Sequence, residues 1–414
     1  MTAIYKNLLL CFSLLLVFSA CKKEGYPIIV NASGHGNCLV NTSVDFLGIT
    51  TNTPVALYLE ENGKEILIPC QLDEDETGSV NLYWMLPEKA EGLSYILRKG
   101  ENKNFSKIFS VTDNGRELIV KKGDKSILQY YHKAADLPEG LNETYSRSGF
   151  IHPAWSPAGN VLTNIQPADH RHHYGFWNPW TRVVYDNTTY DLWNIGDGQG
   201  TVQFNEMISI TEGAVYAGFT AKHDHIIIKE GKRSVIMEEL WKIKAWSAAE
   251  SGREYFMWDF KSELTPSTLL PVLLQAYRYA GFGFRATDVW TKENCIMYTS
   301  EGKSRQEIDG TNARWIYLTG EIGNGKSGLL IMAYPENRKY PEPLRIWDEN
   351  ANNGRGDAFI NFAPTKNDDW QLEPGSSYTL KYRVATYDGE MTPETAERMW
   401  NDFANPPAII TAPE

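Results

Sequence analysis

The sequence predicts an all-β protein: a small N-terminal immunoglobulin-like β-sandwich, a large antiparallel β-sandwich, and a short C-terminal helix. Three observations predict it. Runs of β-branched and aromatic residues recur along most of the 414 residues, Gly, Asn, Asp and Pro turns separate them, and helical periodicity is confined to one segment near the C-terminus.

The first residues stand apart from this pattern. Lys6 supplies a positive charge, Leu8 to Phe18 an apolar stretch, and Phe18-Ser19-Ala20-Cys21 places small residues before a cysteine. The stretch is shorter than the ~20 apolar residues that span a bilayer. Residues 1–20 therefore read as a lipoprotein signal peptide, Cys21 as the lipidated residue and 21–25 as a tether. The tether, Lys22-Lys23-Glu24-Gly25, half resembles the surface-export tag of Bacteroidetes lipoproteins. One acidic residue follows the lysines, which leaves a periplasmic and an outer-membrane location in the cell envelope both open. Cleavage before Cys21 removes Lys6 and no acid, taking the formal net charge from −12 to −13. An acidic chain without a basic run argues against nucleic acid or anionic lipid as partner. A glycan or oligosaccharide remains, with membrane contact only through Cys21. No nucleotide cofactor is expected. Cys38, Cys70 and Cys295 are left after the signal; a Cys38–Cys70 disulfide is compatible with an oxidising compartment, and no CxxC spacing suggests thiolate zinc.

Residues 26–112 carry short alternating runs such as Val55-Ala56-Leu57-Tyr58-Leu59, broken by polar turns such as Glu61-Asn62-Gly63-Lys64. That spacing predicts the immunoglobulin-like sandwich. From 117 to 390 the strands lengthen. A hairpin is expected at Arg182–Tyr185 and Thr188–Trp193 about Asp186-Asn187, and long strands at 202–210, 215–228, 234–246, 254–264, 313–319, 328–333 and 378–387. Residues 391–414 are expected as helix and tail. Thr392 caps the helix, Pro393 occupies its first position, and Ala396, Met399, Trp400 and Phe403 follow helical spacing.

Four of the eight histidines fall between 152 and 173, in a Pro- and Gly-punctuated segment that includes Asp169-His170-Arg171-His172-His173. Imidazole both donates and accepts protons near neutral pH and also ligates metals. Loops on a rigid β scaffold are where such chemistry collects. If the segment is extended, His170 and His172 point to one side and could chelate a divalent metal, with His152 or a carboxylate as third ligand. Alternatively His172 or His170 is a general acid or base, His152 and His173 support it, and Asp169 orients a ring. The bland alternative is a polar loop whose histidines bond backbone. A second His-x-His, His223-Asp224-His225, lies in a strand and is expected to face solvent. Trp155, Trp177 and Trp180 flank the loop and could stack on a pyranose, although any single tryptophan is more often core. Glu206, Glu238, Glu239 and Asp259 are carboxylates that could pair with it. Arg278 and Arg285 bracket a glycine bend; they, with Arg171, could bind a uronate carboxylate or sugar oxygen, or form ion pairs.

The runs Ser148-Gly149-Phe150-Ile151-His152-Pro153, Ser156-Pro157-Ala158-Gly159 and Asp169 to Gly175 resemble the PmoA-like family of unknown function. Gly281-Phe282-Gly283-Phe284-Arg285, Pro335-Glu336-Asn337 with Tyr340-Pro341, and Leu380-Lys381-Tyr382-Arg383-Val384 agree with it. The resemblance covers residues 117 to 390. It departs at Arg171 and Tyr174, where the family usually has proline and arginine. The methane-oxygenase name is not implied, since the true subunit crosses the membrane several times. What the resemblance implies is a galactose-mutarotase-like supersandwich and a setting in polysaccharide utilisation.

These readings converge on a carbohydrate-active lipoprotein that cleaves or isomerises a sugar unit, as hydrolase, lyase or epimerase. A non-catalytic glycan-binding surface lipoprotein is the alternative. A proton-shuttling histidine cluster favours the enzyme.

Overall fold

A computed structural model describes residues 25–101 and 105–411. The signal peptide and Cys21 lie outside the described residues. The expected all-β class is what the chain adopts. Two small sheets form the N-terminal sandwich, one of five strands and one of three, closing over Leu57, Leu82, Trp84 and Leu97. Two differences at its margins reflect packing. Phe109–Asp113 joins the large domain's nine-stranded sheet, and the tail after the helix is a strand, Ala408–Thr411, that pairs with Tyr26–Asn31. The C-terminus thus ties back to the first domain.

Cys38 and Cys70 are free thiols, not a disulfide. The strand Val80–Met85 runs between the segments that carry them, with Cys70 opposite Trp84 and the Cys38 carbonyl bonded to the Leu86 amide. Two strand spacings, roughly 10 Å, exceed what a disulfide bridges.

The large domain packs an eight-stranded sheet on a nine-stranded one, with a four-stranded sheet beside them. The expected long strands are present, several longer than expected, as with Lys232–Glu250 and Arg253–Pro266, except that 313–319 is split, Asn312–Ala313 joining the nine-stranded sheet and Trp315–Ile322 the eight-stranded one. The hairpin forms too, with Asp186 and Asn187 both at positive φ in its two-residue turn. Thr392 caps the helix Pro393–Ala404, whose Ala396, Met399 and Phe403 are buried. No helix among the described residues is long and apolar enough to cross a membrane.

Side-chain alternation across the nine-stranded sheet positions everything that follows. Tyr130, Ile151, Phe176, Phe284, Ile360 and Ile346 form one row, all facing the eight-stranded sheet and fully buried in the main core. Their chain neighbours Phe150, Trp177, Arg285, Arg345 and Phe359 point out of the opposite face. There Phe150, Trp177 and Phe359 join Tyr174, Trp193 and Trp347 in a separate aromatic cluster. Gly283 makes room for it, since a Cβ there would sit 3.0 Å from the Trp193 ring.

Candidate functional site

The aromatic cluster floors an open cleft of about 390 Å³. His170, His172 and His173 form one side of it. Trp193, Asn194, Arg278 and Tyr279 form another, and residues of the 309 and 345–352 segments complete it. The histidine loop is not extended. It makes two successive turns, with the His170 amide on the Pro167 carbonyl (3.1 Å) and the His173 amide on the His170 carbonyl (3.0 Å). The turns still gather the three rings, whose centroids lie 4.8 to 5.4 Å apart. Among the described residues no group of three His, Cys, Asp or Glu side chains is arranged to hold a metal ion.

His173 is buried, stacked on Phe359 at 4.9 Å and packed against Trp177 at 5.0 Å. Burial drives its pKa well below the ordinary imidazole value, and neighbouring His172 and Arg285 add to the effect. Burial likewise lowers His172 to about 4, helped by His170, Arg147 and Arg285, with Asp169 opposing. Both imidazoles are neutral at neutral pH. His170 is more open, and its Nδ1 lies 3.0 Å from Asp169 Oδ2.

Asp169 is held from behind by Arg285, whose Nη2 lies 3.0 Å from its carboxylate and 3.3 Å from that of Asp357. Burial pushes the Asp169 carboxyl up, but the His170 hydrogen bond and the Arg285 charge together outweigh it and bring it to about 2. Ionised Asp169 can only accept, so His170 Nδ1 carries the proton and donates. The free lone pair of the ring is then on Nε2. The Arg285 guanidinium also lies 4.6 Å from the Trp347 ring centroid. Asp357, Arg285, Asp169 and His170 thus make one continuous polar chain ending at the cleft.

Several expected site residues sit elsewhere. Trp177 and Trp180 are wholly buried and present no face to a ligand. Trp155 is half-buried away from the cleft, its carbonyl taken by Thr386 (2.8 Å). His152 does not join the other three histidines; its Nδ1 lies 2.8 Å from Thr163 Oγ1, and burial lowers it to about 4. Arg285 does not line the cleft; its Nη2 is held by two carboxylates and it borders the second groove on the loop's other flank. Arg171 donates to the Gln166 carbonyl (2.6 Å) and lines a second groove on the loop's other flank, beside Arg355. Of the arginines singled out in the sequence, Arg278 lines the cleft.

His223 and His225 face the core, not solvent, because the strand carrying them is covered by the nine-stranded sheet. His223 Nε2 meets the Tyr130 hydroxyl at 2.6 Å, and His225 Nε2 meets Glu239 Oε2 at 2.9 Å. Asn178 Nδ2 donates to Glu239 Oε1 (2.6 Å), and Ser262 donates to the same oxygen. Glu206 is exposed on an edge strand, Glu238 pairs with Lys222 (2.7 Å) and Asp259 with Arg383 (2.6 Å). None of these carboxylates lines the cleft.

The carboxylates that do line it are Asp309 and Asp348, which the sequence reading missed along with Trp193, Tyr279, Arg345 and Trp347. Asp309 pairs with Arg345 at 2.6 Å. A signal for the last segment was present. Trp347-Asp348-Glu349-Asn350 runs into Asn352-Asn353-Gly354-Arg355-Gly356-Asp357, dense in turn formers, and Asn352 and Asn353 adopt positive φ.

A family model described as "Family of unknown function (DUF6807)" matches residues 117–401. The chain belongs to this family. The runs that resemble the PmoA-like family fall inside the DUF6807 match, but that name is not the one the matching family carries. No curated protein matches the sequence. Among solved structures, the DUF6807 chain is similar to an alpha-mannosidase from Enterococcus faecalis V583 at 9% identity and TM-score 0.48, over 94% of this chain and 46% of that one. It is also similar to a heparan sulfate lyase from Pedobacter heparinus at 9% identity and TM-score 0.33, over 71% of this chain and 38% of that one. The chain spans less than half the length of either. At such TM-scores the chemistry of the cleft rests on its own residues.

Proposed function

We propose that this DUF6807 protein is a carbohydrate-active enzyme that cleaves or isomerises a sugar unit held in the histidine cleft. The observation that carries the reading is the Arg285–Asp169–His170 chain ending at an open cleft lined by aromatic and polar groups. Arg285 fixes Asp169, Asp169 fixes the His170 ring and its tautomer, and His170 Nε2 takes a proton from the sugar. Tyr279, with the small exposed margin of Trp347, offers ring surface to a pyranose over a floor that includes buried Trp193, and Asn194, Asn350 and Asn352 read its hydroxyls. Neutral His172 serves as a hydrogen-bonding partner beside the base. Export by residues 1–20 and lipidation at Cys21 would place the enzyme in the cell envelope, where glycans are met.

The test is incubation of a broad glycan and oligosaccharide panel with the mature protein and with His170→Ala, followed by mass spectrometry and isomer-resolving chromatography. A product made by the first and reduced at least about a hundredfold in the second is expected, the scale of a lost general base. Glycan retained intact by both proteins, with no product, would make this a capture protein instead. Unchanged turnover in His170→Ala would remove His170 from the mechanism.

A further inference from the structure

Charges around the cleft are unevenly satisfied. Asp309 is neutralised by Arg345. Asp191 beneath the 193–194 segment accepts the Trp193 and Asn194 amides at 2.8 Å each, and Asp348 accepts the Asn350 amide at 2.8 Å, so both have hydrogen-bond partners while keeping their charge. Arg278 has no such partner. Its guanidinium stands 5.4 Å from the Tyr279 ring centroid and 5.8 Å from that of Tyr277, and among the described residues no carboxylate pairs with it.

Lys366 is brought to the same edge, its ammonium on the Arg278 carbonyl at 3.4 Å. It is half-buried and also has no carboxylate within ion-pair distance among the described residues; Asp309, Arg345 and Arg278 are the charges it feels. Tyr279, which carries Arg278 into the cleft, is pinned by Asn194 Nδ2 at 3.0 Å from its hydroxyl. Arg278 thus stands without a countercharge in the lining of an aromatic cleft beside Arg345, with Lys366 just outside that lining and within electrostatic reach of both, in a chain of net charge −12. A neutral sugar can be read by stacking and neutral hydrogen bonds alone, whereas an acid group gains from a cation. Neighbouring cations repel one another, and an anion between them relieves that repulsion. In a chain that repels acidic ligands overall, a local cationic edge lets one approach.

We propose that the cleft takes an acidic saccharide, one bearing a carboxylate or sulfate, and that Arg278 and Lys366 receive the acid group. The proposal rests on the reading of the cleft as a sugar site and names the substrate class for it. A planar guanidinium fork matches either oxyanion, with the ammonium as a second point charge.

The test is titration of the full mature chain, followed by calorimetry and by the fluorescence of its tryptophans. One arm uses galacturonate, glucuronate and mannuronate oligosaccharides, each beside its carboxyl-reduced neutral counterpart. A second arm uses sulfated neutral-backbone oligosaccharides beside their desulfated forms. In at least one arm the acidic ligand is expected to bind about tenfold or more tightly than its neutral partner, and to weaken with added salt. Arg278→Ala should remove most of that difference while leaving neutral-ligand affinity within about twofold, and Arg278→Lys should restore part of it. Which arm shows the effect identifies carboxylate or sulfate as the acid group. Equal affinity for acidic and neutral ligands, or an equal loss of both in Arg278→Ala, would overturn the proposal and leave the sugar site standing. Failure to bind any saccharide, charged or neutral, would bring down the sugar reading and this proposal with it.

Discussion

Glu342 offers a quantitative test of the large sandwich. It is fully buried on the strand Glu342–Ile346 of the nine-stranded sheet, and Tyr382 of the eight-stranded sheet donates to its Oε2 at 2.8 Å. Asn337 Nδ2 donates to Oε1 at 2.7 Å, and no cation pairs with it among the described residues. The carboxyl therefore bridges the two layers without a countercharge. Burial raises its pKa from 4.5 to about 8, although the two hydrogen bonds pull the other way. The sign of the linkage follows. Below pH 4.5 the group is protonated whether the chain is folded or not. As pH rises further, the unfolded chain ionises first, so stability is lost up to about pH 8 and then levels off. At roughly 1.4 kcal/mol per pH unit, the loss by neutral pH is about 3 kcal/mol. Glu342→Gln keeps the shape, retains an acceptor for Asn337 and does not titrate. Its stability relative to wild type should rise by about 3 kcal/mol between pH 4.5 and 7. Urea unfolding at several pH values, followed by tryptophan fluorescence, measures this. Parallel pH profiles for the two proteins would refute the account of Glu342 as a neutral buried acid.

Other perturbations address the site and the anchor. Asp169→Asn should depress turnover more than ligand affinity, because it removes the charge that orients His170. Since Asp169 sits near 2 in the fold, below its ordinary 3.8, its stabilisation is present above that ordinary value and lost as pH falls through the lower one. The thermal midpoint of wild type should accordingly fall more steeply in acid than that of the variant, and equal slopes would count against the ion pair. Gly175→Ala puts a Cβ 2.2 Å from the Ile151 carbonyl oxygen at φ +54, and should cost upwards of about 2 kcal/mol in urea unfolding. At Gly140, where φ is also positive but nothing lies within 4 Å, the same change should cost only about 1 kcal/mol. Fatty-acid labelling of cells expressing the full chain should mark the protein, and Cys21→Ser should abolish the label; a labelled variant would disprove Cys21 as the anchor.

The fold was legible because strand signals are local. The 202–210, 234–246 and 378–387 runs alternate strongly enough to be read without their partners, and Thr392-Pro393 announces its helix. The tail strand Ala408–Thr411 was not, since its four residues become a strand only by pairing with Tyr26–Asn31, more than 370 positions away. The site divided similarly. The histidine loop is one contiguous segment and stood out. Arg278 was picked out by its glycine bend, but Trp193, Tyr279, Asp309 and Trp347 reach the cleft from four separate connections, and nothing local marks any of them as neighbours of His170.

The two His-x-His motifs make the same point in chemical terms. His170/His172 and His223/His225 are alike in spacing, yet one pair lines an open cleft and the other is sealed between sheets. What separates them is the backbone that carries them. His223 and His225 sit in a regular strand, so both rings fall on the covered face, where Tyr130 and Glu239 satisfy one nitrogen of each. His170 and His172 sit in consecutive turns that no sheet covers, so their placement depends on side-chain anchors. Asp169 holds His170, Arg285 holds Asp169, and Asp357 and Trp347 hold Arg285. A buried strand fixes its histidines by packing and leaves them little to do but bond. A loop must fix them by charge, and a charge aimed at an imidazole also sets which nitrogen keeps the proton. That second consequence is what makes the loop, and not the strand, suited to chemistry.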